Sequence, residues 1–387
     1  MQFWQLPEYI ADILPSTARR LESAKEELLT LFRAHGYELV SPPLMEYTQS
    51  LLTRIDPGLS LKTIRITDQL SGLQLGLRAD ITPQISRIDA HLLVQNNGVN
   101  RLCYAGAVLH AQPDTLYSTR EPLQIGAELY GFEGLAADIE LIDLMLKSVA
   151  RLGVDKPLLS LGHIGVFRAL SRAAALSDDN AQQLLGLMQS KDGAAVAQWC
   201  AQQGLPENLA QAFVELTVLY GAPDDVLARA ERVLPACEGL QAALNDLREV
   251  CQTFSAYAIH VDLAELRVDY YHSGLLFAAY RKGDSDALAR GGRYDGLGRY
   301  FGRPRPATGF SFDLKNFLDL LPQQSAAAGI CVAATDAAAA RDTMDTLRAQ
   351  GEIVLIDYLN EGAAALNCDR VLTQHNRQWQ VIAATEE

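Results

Sequence analysis

The sequence lacks the cysteine patterns of a disulfide framework or a zinc site. Its six cysteines are scattered over 387 residues, with no CxxC pair and no histidine at ligand spacing. We therefore expect reduced thiols in a cytoplasmic protein that holds no metal ion. The chain also has no run of 18 apolar residues, and no basic segment precedes an apolar run at its start. We expect neither a membrane-spanning helix nor a signal peptide.

Clustered positive charge is missing as well. The chain has 33 Lys and Arg against 47 Asp and Glu, a formal net charge of −14. Proteins that bind nucleic acids usually neutralise phosphates with grouped Lys and Arg side chains. The charge balance therefore argues against a tRNA or DNA partner, although it is compatible with a local basic patch. A Gly-rich phosphate loop of the P-loop kind is absent too, and we expect no cofactor.

Hydrophobic periodicity divides the chain into two regions. Helical and strand patterns alternate through residues 1–321, except for a block at about 165–255 that is helical throughout and looks inserted. A Pro-Gln-Gln-Ser linker follows at 322–325. We predict one domain over 1–321 with a helical insertion, and a small α/β module over 326–387. A module of that size is near the lower limit for independent stability.

One stretch, DLAELRVDYYHSGLLFAAY at 262–280, combines a strand pattern with polar aromatic side chains. Apolar residues alternate with polar ones over 259–263, which predicts a strand with one buried face. Tyr270 and Tyr271 then precede a His-Ser-Gly turn at 272–274. Two hydroxyl-bearing rings beside a glycine turn suit a pocket for a small polar ligand. The alternative is a pair of core or interface tyrosines on a hairpin.

Two further segments carry polar side chains in ordered positions. In LRADITP at 77–83, Asp80 and Thr82 stand at the predicted start of a helix, where simple helix capping is the alternative. In QIGAE at 124–128, Gln124 and Glu128 share one face of a predicted strand. A solvent-facing polar stripe is the alternative there.

Two glycine-containing segments follow near the end of the first region. ARGGRYDGL at 289–297 could bring its backbone close to a ligand, or its Gly-Gly pair could form a turn between strands. ATGFSFD at 307–313 is typical of a strand that leads into a helix.

In this order and spacing, the segments resemble the histidyl-tRNA synthetase-like branch of the class II aminoacyl-tRNA synthetase fold, over roughly residues 1–320. HGYELVSPPLMEY at 35–47 resembles the first class II motif, and 77–83 resembles the RPEGT segment. The remaining similarities are to the second motif at 101–131, the histidine-specific RGLDYY motif at 267–277, the family sequence GGRYDGL at 291–297, and the third motif at 307–317. The resemblance implies an α+β fold with an antiparallel sheet flanked by helices, and a dimer interface near 36–47.

The same resemblance shows three departures from an active synthetase. His110 stands where the second motif has the arginine that clamps the ATP α-phosphate, and Asn316 stands where the third motif has its arginine. Leu266 occupies the arginine position of RGLDYY, with Arg267 one residue later. Removing one such group typically costs about 10²–10³ in rate. The resemblance therefore implies lost synthetase chemistry.

The resemblance implies, by contrast, that the amino-acid pocket is retained. The resemblance implies that Asp80 and Thr82, assisted by Gln124, hold an α-ammonium group, although Asp80 is one methylene shorter than the usual glutamate. It implies that Glu128 accepts the imidazole N–H and that Tyr270 and Tyr271 line that side. These pairings are physically sensible because a carboxylate such as Asp80 favours an ammonium group. A buried carboxylate such as Glu128 rejects analogues that lack the imidazole N–H, because its own polar atoms would be left unpaired.

A histidine pocket without ATP contacts resembles the regulatory subunits of ATP phosphoribosyltransferase, a family of synthetase paralogues. The resemblance implies a chain without activity of its own, needed by a short catalytic subunit at the first step of L-histidine biosynthesis. It also implies a hetero-octamer of four regulatory and four catalytic chains, feedback inhibition by histidine, and self-association through the class II interface. Two alternatives remain: a divergent histidyl-tRNA synthetase or amino-acid ligase, and a scaffold with a vestigial pocket.

Overall fold

The computed structural model of the chain describes residues 4–52, 57–113, 115, 118–264, 272–323 and 327–384. It divides into two compact units, one of residues 1–13 and 21–321, the other of residues 14–20 and 322–387. The sequence-based domain boundaries, with a linker near 322–325, stay a prediction. Leu266, Tyr270 and Tyr271 lie outside the described residues.

A large, mostly antiparallel sheet forms the centre of the first unit. In the described part of the chain its strands are β1 (Glu38–Leu39), β5 (Asn100–Ala107), β6 (Leu123–Tyr130), β7 (Leu158–His163), β8 (Tyr220–Gly221), β9 (Ala258–Asp262), β10 (Leu275–Tyr280), β11 (Ala289–Arg293) and β12 (Ala307–Asp313). Their order is β1-β5-β6-β12-β11-β10-β7-β9-β8. Only the β1–β5 and β7–β9 pairs among these are parallel. The expected α+β class with an antiparallel sheet is confirmed.

A smaller sheet and the helices complete the first unit. The smaller sheet has the order β2-β4-β3, from β2 (Met45–Tyr47), β3 (Arg65–Thr67) and β4 (Gln74–Leu77). The helices are α1 (Pro15–Ala34, shared with the second unit), α2 (Thr48–Leu51), α3 (Pro57–Lys62), α4 (Thr82–Arg87), α5 (Leu135–Arg151), α6 (Ile164–Ala173), α7 (Asp178–Gln189), α8 (Gly193–Gln202), α9 (Glu207–Leu216), α10 (Pro223–Val233) and α11 (Leu240–Thr253). Short helical turns span Ile88–Leu92, Leu297–Phe301 and Leu314–Phe317.

Helix α1 packs on the large sheet through one apolar stripe. Its residues Leu21, Ala24, Leu28 and Phe32 recur at three- and four-residue spacing and are all buried. The Phe32 ring lies 6.0 Å from the ring of Phe310 on β12, in an edge-to-face contact. The helix ends before Gly36, whose φ of +83° is the left-handed conformation that favours glycine after a helix. The chain then enters β1 at the edge of the sheet.

The block between β7 and β9 is almost wholly helical, as its sequence period predicts. Helices α6 to α11 begin at polar caps in three cases: His163 Nδ1, Ser177 and Asp192 each accept a backbone N–H of the first turn. A two-residue strand, β8, interrupts the helices and pairs with β9. The helical block therefore joins the central sheet at its far edge.

Two of the sequence-based interpretations are wrong. β9 and β10 do not form a hairpin, because β7 lies between them and pairs with both. Gly291 and Gly292 form no turn, since both lie within β11. A Cβ on Gly291 would lie 2.3 Å from the carbonyl oxygen of Gly309 and 2.5 Å from the Phe277 ring. The glycine therefore permits close packing between strands rather than a change of direction.

The second unit contains a four-stranded sheet with the order β14-β13-β15-β16. Its elements are β13 (Gly329–Ala333), α12 (Arg341–Ala349), β14 (Val354–Asp357), β15 (Cys368–His375) and β16 (Gln378–Ala383). Strand β13 is parallel to both neighbours, and β16 is antiparallel to β15. The core of this sheet includes Ile330, Val332, Val354 and Leu372, which pack with Met344 of α12.

Candidate functional site

Glu128 lies on β6 in the middle of the large sheet and is only 1% exposed. It is in register with Leu102 on β5 and with Gly309 on β12. A Cβ at position 309 would lie 1.5 Å from Glu128 Oε2. Glycine at 309 therefore makes the space that the carboxyl group occupies. A solvent-facing polar stripe, the alternative for this segment, is wrong.

Three hydroxyl groups surround the Glu128 carboxyl group. Tyr294 donates to Oε2 at 2.5 Å, while Tyr104 and Thr82 donate to Oε1 at 3.0 and 3.2 Å. Burial raises the pKa of Glu128 to about 8, against the lowering effect of these hydrogen bonds, and the nearby Asp80 carboxylate raises it further. A buried carboxyl group with this pKa holds its proton at neutral pH, and a cationic or N–H-donating ligand would favour its ionised form.

Asp80 and Gln124 form a second polar group beside Thr82. Asp80 Oδ1 accepts the Thr82 backbone N–H at 3.0 Å and the Gln124 Nε2–H at 2.7 Å. Gln124 also donates to Ser311 Oγ at 3.1 Å and accepts the Ile81 N–H at 2.9 Å. Both alternatives weighed from the sequence are thus present, since Asp80 binds the start of α4 and its carboxylate also faces other polar side chains. Hydrogen bonds connect Asp80, Thr82, Gln124 and Glu128, so the structure brings these four predicted residues together. Their binding role stays a prediction.

Tyr294 is held in place by its two neighbours in the GGRYDGL segment. Arg293 donates to Asp138 Oδ2 at 2.7 Å, which ties the end of β11 to the first turn of α5. Asp295 accepts the Ser273 hydroxyl at 3.0 Å and the Ala307 N–H at 3.0 Å. These contacts fix the backbone on either side of Tyr294, so its hydroxyl group is directed at Glu128. The segment serves the site through its tyrosine rather than through its glycines.

A cavity of about 450 Å³ adjoins this site. Asp80, Gln124 and Ser311 line it on one side, and His110 and Asn316 line it elsewhere. Its other charged lining residues are Lys62, Arg290 and Asp313. Two positions predicted to have lost the synthetase arginines therefore face the same open space as the ammonium-binding candidates. Glu128 does not line this cavity.

His110 is buried, and its ring contacts the backbone that carries Asp80. Nε2 lies 3.0 Å from the carbonyl oxygen of Ala79. The backbone of His110 bonds that of Arg120, whose Nε–H donates to the His110 carbonyl at 3.0 Å. The imidazole is therefore part of the cavity wall, whereas Asn316 is exposed at its rim. Neither side chain offers the extended cation that an ATP phosphate contact requires.

Sequence reasoning missed four residues of this site: Tyr104, Tyr294, Ser311 and Gly309. Tyr104 lies two residues along β5 from Leu102, the residue in register with Glu128. Ser311 lies two residues along β12 from Gly309. Alternation along these strands was a usable signal, but it becomes specific only once the register between strands is known. Of the residues predicted for the site, Tyr270 and Tyr271 fall outside the described part of the chain.

Among the described residues, no group of three or more His, Cys, Asp or Glu side chains is arranged to hold a metal ion. Over the same residues, every helix is too short or too polar to cross a bilayer.

Comparison with known protein families gives two matches that together span most of the chain. The family described as Histidyl-tRNA synthetase matches residues 9–317. The family described as ATP phosphoribosyltransferase subunit HisZ C-terminal domain matches residues 327–382. The first match covers the large sheet with the Glu128 site, and the second covers the four-stranded sheet.

Similar proteins agree with these matches. An ATP phosphoribosyltransferase regulatory subunit of Neisseria meningitidis is 60% identical over 99% of this chain and 100% of its own length. That of Chromobacterium violaceum is 53% identical over 98% of this chain and 99% of its own length. A solved structure from Bacillus halodurans C, described as an ATP phosphoribosyltransferase regulatory subunit/histidyl-tRNA synthetase, is 25% identical with a TM-score of 0.82, covering 96% of this chain and 98% of that one.

Histidyl-tRNA synthetase from Nostoc sp. PCC 7120 shares the fold at a TM-score of 0.76 and 16% identity, covering 96% of this chain and 91% of that one. At this identity the likeness shows the fold alone. The full-length relatives at 53–60% identity identify the branch. The chain belongs to the histidyl-tRNA synthetase-like fold and, within it, to the family of ATP phosphoribosyltransferase regulatory subunits.

Proposed function

We propose that this chain binds L-histidine at the Glu128 site and passes feedback inhibition to a short catalytic subunit of ATP phosphoribosyltransferase. The catalytic subunit depends on the chain for activity at the first step of histidine biosynthesis, and the chain has no activity of its own. The two form a cytoplasmic hetero-octamer of four regulatory and four catalytic chains. Nucleic acid and membranes take no part.

The Glu128 carboxyl group and its three hydroxyl donors carry this proposal. A buried carboxyl group is costly unless it is matched by a ligand or by hydrogen bonds. Here Oε1 and Oε2 sit at the inner end of a polar path that begins with Asp80 at the cavity. An imidazole N–H would bond Glu128, and an α-ammonium group would bond Asp80, assisted by Thr82 and Gln124. Tyr270 and Tyr271 would line the imidazole side.

Two residues of the adjoining cavity, and the identity of Leu266 in the sequence, argue against amino-acid activation. His110 contacts a backbone carbonyl, Asn316 is exposed, and Leu266 is apolar. A developing phosphate charge would meet no arginine at these three positions, and such groups supply most of the rate in phosphoryl chemistry. A chain that recognises histidine but does not stabilise phosphate charge could sense the amino acid without activating it.

Histidine would act by linkage, binding one state of the complex better than the other. The coupling expected for such regulation is about 1–3 kcal/mol. A physical connection from the site to the predicted dimer interface exists in the segment that carries Asp80. Arg78 Nη1–H donates to the Pro42 carbonyl at 2.8 Å, and Gln84 Nε2–H donates to Glu46 at 2.7 Å. Residues 42–46 belong to the segment that resembles the first class II motif.

Exposed apolar side chains support self-association through that segment. Leu39, Leu44, Met45 and Tyr47 are 42–59% exposed on β1, β2 and the segment between them. Four large apolar side chains so close in sequence are typical of a surface that another chain covers. We propose that this surface is the class II dimer interface of the regulatory chains.

Reconstitution with the short catalytic subunit tests the proposal. The catalytic subunit is assayed alone, with this chain, and with this chain plus histidine. We expect little activity alone, high activity in the mixture, and a loss of that activity as histidine is added. Glu128→Gln, which keeps the side-chain shape, should raise the histidine concentration needed for inhibition by at least about tenfold while activation stays intact. Unchanged inhibition in this variant would show that Glu128 does not recognise the effector.

An active synthetase or ligase remains the second candidate because Lys62 and Arg290 line the cavity and could meet a phosphate. Histidine-dependent ATP–pyrophosphate exchange by the purified chain would support it and overturn the regulatory proposal. A vestigial pocket would instead be indicated if calorimetry found no histidine binding to the chain, alone or in the complex.

A further inference from the structure

Strand β16, at the edge of the four-stranded sheet, has an unusual composition for an edge strand. Its sequence, QWQVIA at 378–383, contains no charged residue and no proline. Edge strands usually carry charge, proline or a bulge, or are very short, because their open backbone groups would otherwise pair with another strand. None of these protective features occurs in β16.

The other sheet edges in the described part of the chain are protected. β1 and β8 are two residues long, and β2 and β3 are three residues long and contain Glu46 and Arg65. β14, at the opposite edge of the same sheet, ends in Asp357 and follows Glu352. β16 therefore differs from every other edge strand that the structure describes, because it is neither very short nor charged.

The outward backbone groups of β16 follow from its register with β15. Ala384 N–H donates to the Asp369 carbonyl at 2.8 Å, and the antiparallel register continues through Ile382–Val371 and Gln380–Thr373. Backbone groups alternate in direction along a strand, so Ala384, Ile382 and Gln380 face β15. Trp379, Val381 and Ala383 therefore direct their N–H and C=O groups away from the sheet. Within the described residues, these groups have no hydrogen-bond partner.

We propose that β16 pairs with β16 of a second copy of this chain, antiparallel and with a two-fold axis at Val381. This register pairs Val381 with its own copy and Trp379 with Ala383 of the copy, each pair exchanging two hydrogen bonds. The bulky indole then meets a methyl group rather than another ring. On the opposite face, Gln380 meets Ile382 of the copy. No like charges meet, so the edge is self-complementary.

The size of the contact indicates where it acts. Pairing two six-residue strands buries less than the roughly 1,200 Å² of a standard stable complex, so this contact adds to chains already held by another interface. Two different self-complementary surfaces on one chain give a closed tetramer when their two-fold axes cross at right angles, and an open chain of copies otherwise. Placing β16 pairing in a four-chain regulatory core rests on the proposed function. The strand pairing itself does not.

Cysteine cross-linking tests the register without the catalytic subunit and without histidine, so its failure would be separate from failure of the proposed function. Val381→Cys should form a reducible covalent dimer under mild oxidation, because Cα atoms of a hydrogen-bonded antiparallel pair are about 5.5 Å apart. The matched control is Gln374→Cys, an exposed position one strand inward on β15. Its copies would lie about 14 Å apart across the strands and about 14 Å apart along them, a separation of roughly 20 Å. Cross-linking of Val381→Cys no greater than that of Gln374→Cys or of the unmodified chain would overturn the proposal.

Sedimentation provides the second measurement. Val381→Pro removes an outward N–H without removing a bond to β15, and proline is tolerated at such edge positions. We expect this variant to lose the concentration-dependent increase in mass beyond a dimer, while Val381→Thr, which keeps the N–H, retains it. Circular dichroism and thermal unfolding verify that both variants are folded. A folded Val381→Pro chain that sediments like the unmodified chain would contradict the pairing.

Discussion

The pocket around Glu128 and the cavity beside it are neighbours with opposite physical character. In the pocket, polar groups are buried and satisfy one another, with three hydroxyl groups on one carboxyl group. In the cavity, Asn316 is exposed and His110 contacts the protein backbone. Buried polar groups are costly to change because a lost partner leaves an unsatisfied group behind. Exposed ones such as Asn316 can be replaced at little cost, whereas the buried His110 is accommodated by its contact with the Ala79 carbonyl oxygen. If the pocket binds histidine as proposed, the difference accounts for recognition that persists where the phosphate contacts of the resembled synthetases are missing.

The first way to break this comparison is to fill the space that Gly309 leaves. Gly309→Ala would place a methyl group 1.5 Å from Glu128 Oε2, so the carboxyl group or β12 must move. We expect a loss of histidine binding by calorimetry and a fall in the free energy of unfolding of about 3 kcal/mol or more.

The matched control for Gly309→Ala is Gly186→Ala in helix α7. No atom lies within 4 Å of a Cβ at that position. Alanine in a helix interior should stabilise by up to about 1 kcal/mol relative to glycine. Normal histidine binding by Gly309→Ala would show that the pocket is less tightly packed than the structure indicates.

The second test uses pH. The folded chain holds the Glu128 proton up to about pH 8, because burial raises its pKa, whereas the unfolded chain releases it near 4.5. The stabilising contribution of the protonated group is full below pH 4.5 and is lost as the pH rises to 8. The two pKa values are about 3.5 units apart, and each unit corresponds to about 1.4 kcal/mol. The free energy of unfolding of Glu128→Gln should therefore gain roughly 5 kcal/mol relative to that of the unmodified chain between these limits.

Denaturant unfolding of both chains at several pH values measures this difference, and taking the difference removes the contribution of the other carboxyl groups. A gap between the two chains that stays constant from pH 5 to 8 would mean that Glu128 is ionised in the folded protein. The pocket would then hold a charged carboxylate despite its burial, and would differ less from the cavity in polarity.

The comparison also separates what the sequence predicts from what it does not. Asp80, Thr82, Gln124 and Glu128 were predicted because their segments resemble the amino-acid pocket of the histidyl-tRNA synthetase-like family. Tyr104 was not, because a tyrosine in a strand has the same pattern whether it fills a core or donates to a carboxyl group. The fold class followed from the motifs, but the insertion of β7 between β9 and β10 depends on long-range pairing that local periodicity does not encode. Gly291 and Gly309 likewise reveal their roles only in register with their neighbours.

A third, smaller effect is expected from removing one hydroxyl group of the pocket. Tyr294→Phe deletes the donor at 2.5 Å from Glu128 Oε2 and leaves the ring in place. Bound histidine would favour the ionised form of Glu128, and a hydrogen bond to a charged group contributes about 1.5–3 kcal/mol. Histidine should therefore inhibit the complex at least roughly tenfold less effectively. Because that bond lowers the pKa of Glu128, the variant should also titrate at a higher pH.

Tyr300→Phe is the control for Tyr294→Phe, since Tyr300 is 55% exposed on a nearby helical turn. Histidine should inhibit a complex that contains Tyr300→Phe as effectively as it inhibits the complex of the unmodified chain. Equal behaviour of the two variants would assign no part of the recognition to the Tyr294 hydroxyl group, and the pocket would then depend on shape alone.

The smallest effect is expected on the cavity side. Asn316→Ala removes an exposed amide at the position of the third-motif arginine, and exposed substitutions usually change stability by less than about 0.5 kcal/mol. Activation of the catalytic subunit and the histidine concentration for half inhibition should both stay within about twofold of the unmodified chain. Measuring the two in the same reconstituted complex makes the result decisive. A change of tenfold or more in the histidine concentration for half inhibition would show that the cavity contributes to histidine binding. The proposed difference between the pocket and the cavity would then be wrong.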